Sequence, residues 1–166
     1  RQMCIRDSLV SLQEVGGAPG RFGVSPAEFH LLQAERARLW PKAMTALTTH
    51  DTKRGEDVRS RITCITESAE RFAELCDGIE YIDGGTCHFL LQNMIGVWPV
   101  DGHVTDELRE RLHAYAEKAM REAGVHTTWF DVNEEFETSI HEWIDNTIDN
   151  NGEEITSFLS LIHISE

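Results

Sequence analysis

"TDELRERLHAYAEKAMREAG", residues 105–124, is the stretch that most clearly predicts the fold class of this chain. Thr105 is a typical helix N-cap, acidic residues follow it in the first turn, and Gly124 is a typical stop. The apolar positions between them recur at helical spacing: Leu108, Leu112, Tyr115 and Ala119. The stretch therefore predicts an amphipathic helix that packs one face against a core.

"SPAEFHLLQAERARLWP", residues 25–41, predicts a second helix with clear ends. Ser25 is the expected N-cap, Pro26 suits the first helical position, and a glutamate three residues after the cap completes a capping box. Because Pro41 cannot continue a helix, we expect this helix to end near Leu39.

Three further stretches have helical patterns. Residues 55–76 place apolar side chains on one face and predict a helix with a break near Ser68. Residues 86–99, "TCHFLLQNMIGVWP", are apolar on all sides and predict a buried helix. Residues 133–148 repeat the capped, striped pattern, and "DNNGEE" at 149–154 is expected to end that helix.

"KAMTALTT", residues 42–49, is the best strand candidate, because it is short, threonine-rich and alternating. The sequence thus predicts a mainly α fold class with one or a few short strands. The strand candidate runs directly into His50 and Asp51, and a helical pattern follows. Strand, polar loop and helix in this order are typical of an α/β barrel, whose catalytic groups lie at the carboxyl ends of its strands.

Composition narrows the function classes. The chain has 166 residues, 40% of them hydrophobic, which suits one globular domain or a piece of one. A net charge of -14 disfavours unassisted binding to nucleic acid or to an anionic membrane. No apolar stretch approaches the length of a membrane span, and no secretory signal precedes the first helix, so we expect a soluble, cytoplasmic protein. Four cysteines without a Cys-x-x-Cys pair are expected to be reduced thiols.

The two ends of the chain predict their own origin. "MCIRD" at residues 3–7 and "SLIHI" at residues 160–164 can be encoded by inverted copies of one DNA sequence, similar to the transposon end used to prepare sequencing libraries. We therefore expect residues 1–8 and 159–166 to be adapter-derived scars. The interior, residues 9–158, is then expected to be a fragment of a longer gene, truncated on both sides.

A cluster of titratable side chains forms the candidate site: His50, Asp51, Lys53 and Arg54. Where a strand ends in a loop, neighbouring His and Asp side chains can turn toward one cavity, and nearby cations favour an ionised Asp51. Spacing alone nevertheless favours a simpler interpretation, a solvated turn with a salt bridge to Glu56 or Asp57.

Other candidate sites have weaker signals. Four histidines, His30, His50, His88 and His103, have no His-x-x-x-His spacing, so they predict scattered side chains and no metal site. "DNNGEE" is a faint echo of a calcium loop. Four tryptophans could stack on sugars, but core packing is the favoured interpretation for all except Trp129, which stays open. No cofactor is expected.

Four blocks together resemble a known family: "LVSLQEVGGAPGRFGVSPAEFH", "WPKAMTALTTHDTKRGEDVRSRI", "GVWP" and "KAMREAGVHTTWFDVNEEFE". They are similar to successive blocks of the maltooligosyl trehalose synthases, within the α-amylase superfamily of glycoside hydrolases. The similarity covers roughly residues 9–145 and departs at Gln13 and Val132. It implies that residues 9–158 come from the C-terminal part of the catalytic region of a (β/α)8 barrel with helical insertions.

The resemblance also implies residue roles. Asp51 matches the aspartate that stabilises the transition state, and His50 matches a histidine that binds the same sugar. Lys53 and Arg54 match a basic extension of this motif and are expected to bind substrate, with Lys53 on the adjoining sugar. The nucleophile and the acid/base are expected upstream of Leu9, in an N-terminal part of the same protein.

The reaction implied is an intramolecular transglycosylation of a maltooligosaccharide, which turns its reducing-end α-1,4 bond into an α,α-1,1 bond. We expect the isolated fragment to be inactive. Two alternatives remain: an α-glucan hydrolase of the same superfamily, which would share His50 and Asp51, and a non-catalytic acidic helical interaction protein.

Overall fold

The computed structural model describes residues 9–12 and 23–162. Within these ranges the chain forms six α-helices and two short 3-10 helices, joined by irregular connections. The α-helices are α1 (Pro26–Leu39), α2 (Glu56–Cys64), α3 (Ala69–Asp77), α4 (Gly84–Val97), α5 (Asp106–Ala123) and α6 (Glu134–Ile162). The 3-10 helices span Val10–Leu12 and Ile65–Ser68. Within these described ranges, no helix is long and apolar enough to cross a membrane.

The predicted strand at residues 42–49 is wrong. This stretch is irregular, most of its side chains are exposed, and no strand occurs anywhere in the described residues. The expected fold class, mainly α with one or a few short strands, is therefore corrected to all α for this part of the chain. The physical reason is that a strand needs a neighbour to satisfy its backbone hydrogen bonds, and alternation alone does not supply one.

The centre of the core is α4, as its apolar composition predicts. Leu91 and Ile95 are fully buried, and α2 packs closely across α4. The close approach depends on Gly96, because a Cβ atom there would lie 2.6 Å from Cγ1 of Val58. The predicted break after α2 is also confirmed, since the 3-10 turn that ends at Ser68 separates α2 from α3.

The predicted ends of α5 are confirmed, and its predicted stripe is confirmed in part: Leu112 is buried, but the helix also buries Ala116 and Met120, which the stripe did not include. Thr105 Oγ1 accepts a hydrogen bond from the backbone N–H of Leu108, 3.2 Å away. Gly124 ends the helix in the left-handed conformation with φ of 64°, which favours glycine. Helix α5 packs against α6.

Helix α6 is longer than the sequence pattern predicts. The expected end at residues 149–154 is wrong, because the helix runs through Gly152 to Ile162. Its last turns bury Ile155 and Phe158, and packing of this kind outweighs the cost of about 1 kcal/mol that a glycine imposes on a helix interior. Leu159, the first residue of the predicted C-terminal scar, is also buried, while the origin of that segment stays a prediction.

Helix α1 differs from the others because none of its residues is buried. Its predicted bounds are nevertheless confirmed, and Ser25 Oγ accepts a hydrogen bond from the N–H of Glu28 at 3.2 Å. Trp40, which follows α1, is 69% exposed, so its expected packing in the core is wrong. The capping signals in the local sequence therefore predicted the bounds of this helix correctly, although none of its residues is buried.

Candidate functional site

His50 and Asp51 lie at the tip of a tight turn between α1 and α2. The turn closes on itself, because the N–H of Thr52 donates to the carbonyl of Thr49 at 3.1 Å and the N–H of Thr49 donates to Thr52 Oγ1 at 3.2 Å. The N–H of Asp51 also donates to Thr49 Oγ1 at 3.3 Å. Threonine hydroxyls thus hold the backbone of the turn in one conformation.

The structure brings the two central side chains of the candidate site together. Nε2 of His50 lies 3.3 Å from Oδ1 of Asp51, so both side chains occupy the same side of the turn. Their side chains are 91% and 64% exposed, respectively. An imidazole and a carboxylate presented in this way are available to hydroxyl groups of a polar ligand.

The first turns of α2 hold the residues that precede the site. Thr48 Oγ1 donates a hydrogen bond to a carboxylate oxygen of Glu56, and Arg59 donates to the backbone carbonyl of Leu47. The hydrogen bond from Thr48, followed by the backbone N–H of Glu56 itself, lowers the pKa of the Glu56 carboxyl. The carboxylate also suits the N-terminal end of a helix. One side of the turn is therefore tied to α2.

Arg54 holds the other side of the turn, and its side chain is buried. Only 8% of the residue is exposed, although it lies three positions after Asp51. Its Nε donates to Asn93 Oδ1 at 2.7 Å, and Nη2 donates to the hydroxyl of Tyr115 at 3.2 Å. The guanidinium carbon also lies 5.6 Å from the centre of the Phe89 ring. The guanidinium thus joins the turn to α4 and α5.

The four predicted site residues therefore fall into two groups. His50, Asp51 and Lys53 have exposed side chains, whereas Arg54 points into the helical core. No local sequence signal links Asn93 or Tyr115 to Arg54, since they lie 39 and 61 residues away along the chain. Only the packing of α4 and α5 brings them to the site.

The other candidates from the sequence are the possible metal ligands, the tryptophans and the "DNNGEE" stretch. Among the described side chains, no group of three or more His, Cys, Asp or Glu residues could hold a metal ion. Trp98 and Trp143 are buried in the core as predicted. Trp129 is 53% exposed, and the guanidinium carbon of Arg121 lies 5.2 Å from the centre of its ring. The "DNNGEE" stretch is helical and does not form a loop.

Comparison with known proteins finds chains that are similar to this one. No protein-family model matches the chain. Two curated relatives, from the CDC 1551 and H37Rv strains of Mycobacterium tuberculosis and assigned as maltooligosyl trehalose synthases, are each 53% identical over 152 residues, which is 89% of this chain. The chain spans about a fifth of the length of these relatives, 20% in each case.

Solved structures agree with the sequence relatives. A variant of maltooligosyltrehalose synthase from Arthrobacter ramosus is 37% identical with a TM-score of 0.81, and it covers 96% of this chain but only 21% of its own. A hypothetical maltooligosyl trehalose synthase from Sulfolobus tokodaii is 33% identical with a TM-score of 0.81, covering 96% and 23%. The resemblance inferred from the sequence motifs is therefore confirmed.

Proposed function

We propose that this chain, as a homologue of one segment of the maltooligosyl trehalose synthases, contributes part of the active site of an enzyme that isomerises maltooligosaccharides. The reaction turns the reducing-end α-1,4 bond into an α,α-1,1 bond and is an intramolecular glucosyl transfer. The observation that supports this most is the "THDTKRGEDVR" stretch, residues 49–59, in a chain 53% identical to such synthases.

Asp51 is the proposed stabiliser of the transition state. Its carboxylate would accept hydrogen bonds from two sugar hydroxyls in the cleavage subsite. As the sugar ring flattens toward an oxocarbenium ion, these bonds and the negative charge favour the transition state more than the ground state. The exposure of the Asp51 side chain in the turn leaves its oxygens accessible for these contacts.

His50 and Lys53 are the proposed sugar ligands. His50 lies beside Asp51 and would bind the same sugar, whereas Lys53 would contact the adjoining one. The released glucose has to reorient and attack before water does, because attack by water gives hydrolysis. Polar ligands that retain this glucose therefore favour isomerisation over hydrolysis.

The nucleophile and the acid/base are proposed to come from other parts of the whole protein. The chain by itself is then expected to bind sugar weakly and to catalyse nothing. We also propose a cytoplasmic location, which the three free thiols of the described region, Cys64, Cys76 and Cys87, support because reduced cysteines suit a reducing compartment.

The test is the Asp51→Asn variant of a full-length enzyme that carries this segment. We expect a loss of about 10²- to 10³-fold in kcat, typical of removing one preorganised electrostatic group. The exposed Asp57 provides a matched control, since Asp57→Asn changes the same group at the start of α2. Products would be separated into non-reducing trehalosyl sugars and free glucose.

Two results would contradict the proposal. Turnover of Asp51→Asn at the level of Asp57→Asn would show that Asp51 has no catalytic role. Release of glucose without any non-reducing product would identify a hydrolase of the same superfamily.

A further inference from the structure

We propose that Arg54 is a positioning residue for the turn that carries His50 and Asp51, and that Asn93 and Tyr115 determine where Arg54 sits. This inference rests on the proposed function, because it assigns Arg54 a role in that same site. It also moves Arg54 out of the group of sugar ligands that the sequence motif predicted.

The guanidinium of Arg54 is buried and hydrogen-bonded within the protein. Arg54 is 8% exposed, and three of its nitrogens donate to acceptors of the protein itself: Asn93 Oδ1, the Tyr115 hydroxyl and, at 3.5 Å, the carbonyl of Val10. Loss of such partners leaves a buried charge uncompensated, which strongly destabilises the folded state. The backbone of the turn is therefore held at Arg54 with little freedom to shift.

Asn93 and Tyr115, the partners of Arg54, are themselves held by hydrogen bonds. The Tyr115 hydroxyl donates to Asn93 Oδ1 at 3.1 Å, while Asn93 Nδ2 donates to the carbonyl of Phe89 at 2.7 Å. The rings of Phe89 and Tyr115 are nearly parallel, 12° apart, with centroids separated by 6.1 Å. Because every polar atom of Asn93 and Tyr115 has a partner in this network, α4 and α5 determine one position for the guanidinium.

The connection along the chain from Arg54 to Asp51 is short. Two residues separate Arg54 from Asp51, and one of them, Thr52, is hydrogen-bonded back to Thr49. A shift of Arg54 therefore moves the Asp51 carboxylate. Misplacement by about 1 Å can reduce the rate of an enzyme by roughly 10²-fold.

The experiment uses Tyr115→Phe, which removes one hydroxyl from the network and keeps the ring. The matched control is Tyr81→Phe, since Tyr81 is also partly buried but packs near Trp143, with ring centroids 6.3 Å apart. In a full-length enzyme, we expect Tyr115→Phe to lower kcat about 5-fold or more while KM changes less than about 2-fold, and to raise the share of free glucose. Tyr81→Phe is expected to leave all three unchanged.

A second readout is independent of activity. In the 166-residue chain, hydrogen exchange of the Thr52 amide reports whether the turn keeps its bond to the carbonyl of Thr49. We expect Tyr115→Phe to speed this exchange about 10-fold relative to Tyr81→Phe, because local opening becomes easier when the anchor is weakened. If the wild-type enzyme makes no trehalosyl product, the proposed function fails, and faster exchange at Thr52 still supports the positioning role.

Arg54→Lys separates positioning from sugar binding. A lysine cannot reproduce the two-pronged contact with Asn93 and Tyr115, so we expect the same fall in kcat as in Tyr115→Phe. Arg61→Lys is the control, because Arg61 donates to the carbonyl of Trp98 at 2.8 Å, away from the turn. If Arg54→Lys raises KM and Tyr115→Phe leaves both kcat and KM unchanged, the inference is overturned in favour of a direct contact between Arg54 and the sugar. Unchanged Thr52 exchange in Tyr115→Phe would also overturn it.

Discussion

Gly96 and Val58 are in such close contact that a Cβ atom on Gly96 would lie 2.6 Å from Cγ1 of Val58. The contact joins α4 to α2, the helix whose first turns hold the turn with His50 and Asp51. Close packing of these two helices is therefore part of what places the candidate site. The same contact leaves no room for a side chain at Gly96 unless Val58 shifts.

We expect Gly96→Ala to destabilise the chain by about 1 to 3 kcal/mol, because the added methyl group overpacks the contact with Val58. Gly84→Ala is the matched control, since a Cβ at Gly84 in the same helix meets nothing within 4 Å. Urea unfolding of the two variants measures the difference. Equal stability of both would show that α2 moves aside at no cost.

In contrast to Gly96→Ala, substitution of Gly152 by alanine is expected to raise the stability of the chain. A Cβ there would lie 3.5 Å from the Trp98 ring, which is ordinary van der Waals contact, and the residue is inside α6. Gly152→Ala should therefore stabilise the chain by roughly 0.5 to 1 kcal/mol, because alanine loses less backbone entropy in a helix. A lower melting temperature in thermal unfolding would mean that Trp98 cannot accommodate the methyl group.

The surroundings of the Glu137 carboxylate indicate that the chain loses stability in acid. Arg121 donates to both of its oxygens, at 2.8 and 2.7 Å, and the hydroxyl of Thr127 donates at 2.6 Å. Arg121 first, and Thr127 with it, lower the pKa of Glu137 below its ordinary 4.5. A carboxyl whose pKa is lowered by folding stabilises the folded state above 4.5, and this stabilisation is lost as the pH falls through the folded-state value.

Glu137→Gln should therefore weaken the chain at pH 7 by about 1 to 3 kcal/mol and flatten the acid-side fall in stability. The measurement is the urea midpoint as a function of pH. Glu142→Gln, on an exposed position of the same helix, should leave that profile unchanged. Parallel profiles for the two variants would refute the assignment to Glu137.

The surroundings of His141 indicate a second loss of stability, at a higher pH than the loss expected from Glu137. Burial first, and then the positive charge that His113 can carry 4.7 Å away, lower the pKa of His141 below its ordinary 6.5. Three carboxylates act in the opposite sense: Glu117, Glu137 and Asp145. Because folding favours the neutral ring, stability is fully present above 6.5 and falls as the pH drops from there toward the folded-state pKa.

His141→Leu should remove this loss of stability below pH 6.5, since Nε2 of His141 is buried without a partner in the described structure and the apolar side chain removes the titrating ring. The control is His103→Leu at an exposed position. The slope of unfolding free energy against pH between about 5 and 7 distinguishes them. A slope that persists in His141→Leu would assign the effect to another group.

Local signals in the sequence determined most helix starts and the family resemblance. Ser25, Thr105 and Asn133 each cap a helix as predicted, since a capping hydrogen bond joins residues only three positions apart. His50 and Asp51 are adjacent in the sequence, so the sequence alone also predicted that both side chains lie together at one turn. The whole "THDTKRGEDVR" motif is a continuous stretch and needs no fold to be recognised.

Tertiary structure alone decided the features that depend on distant residues. The strand pattern at 42–49 formed no strand, because pairing needs a partner that local alternation cannot provide. Helix α6 continued through Gly152, because burial of Ile155 and Phe158 outweighed a local stop signal. Arg54, charged and next to the site in sequence, became buried because Asn93 and Tyr115 offer it hydrogen bonds from 39 and 61 residues away, and no local pattern records that contact.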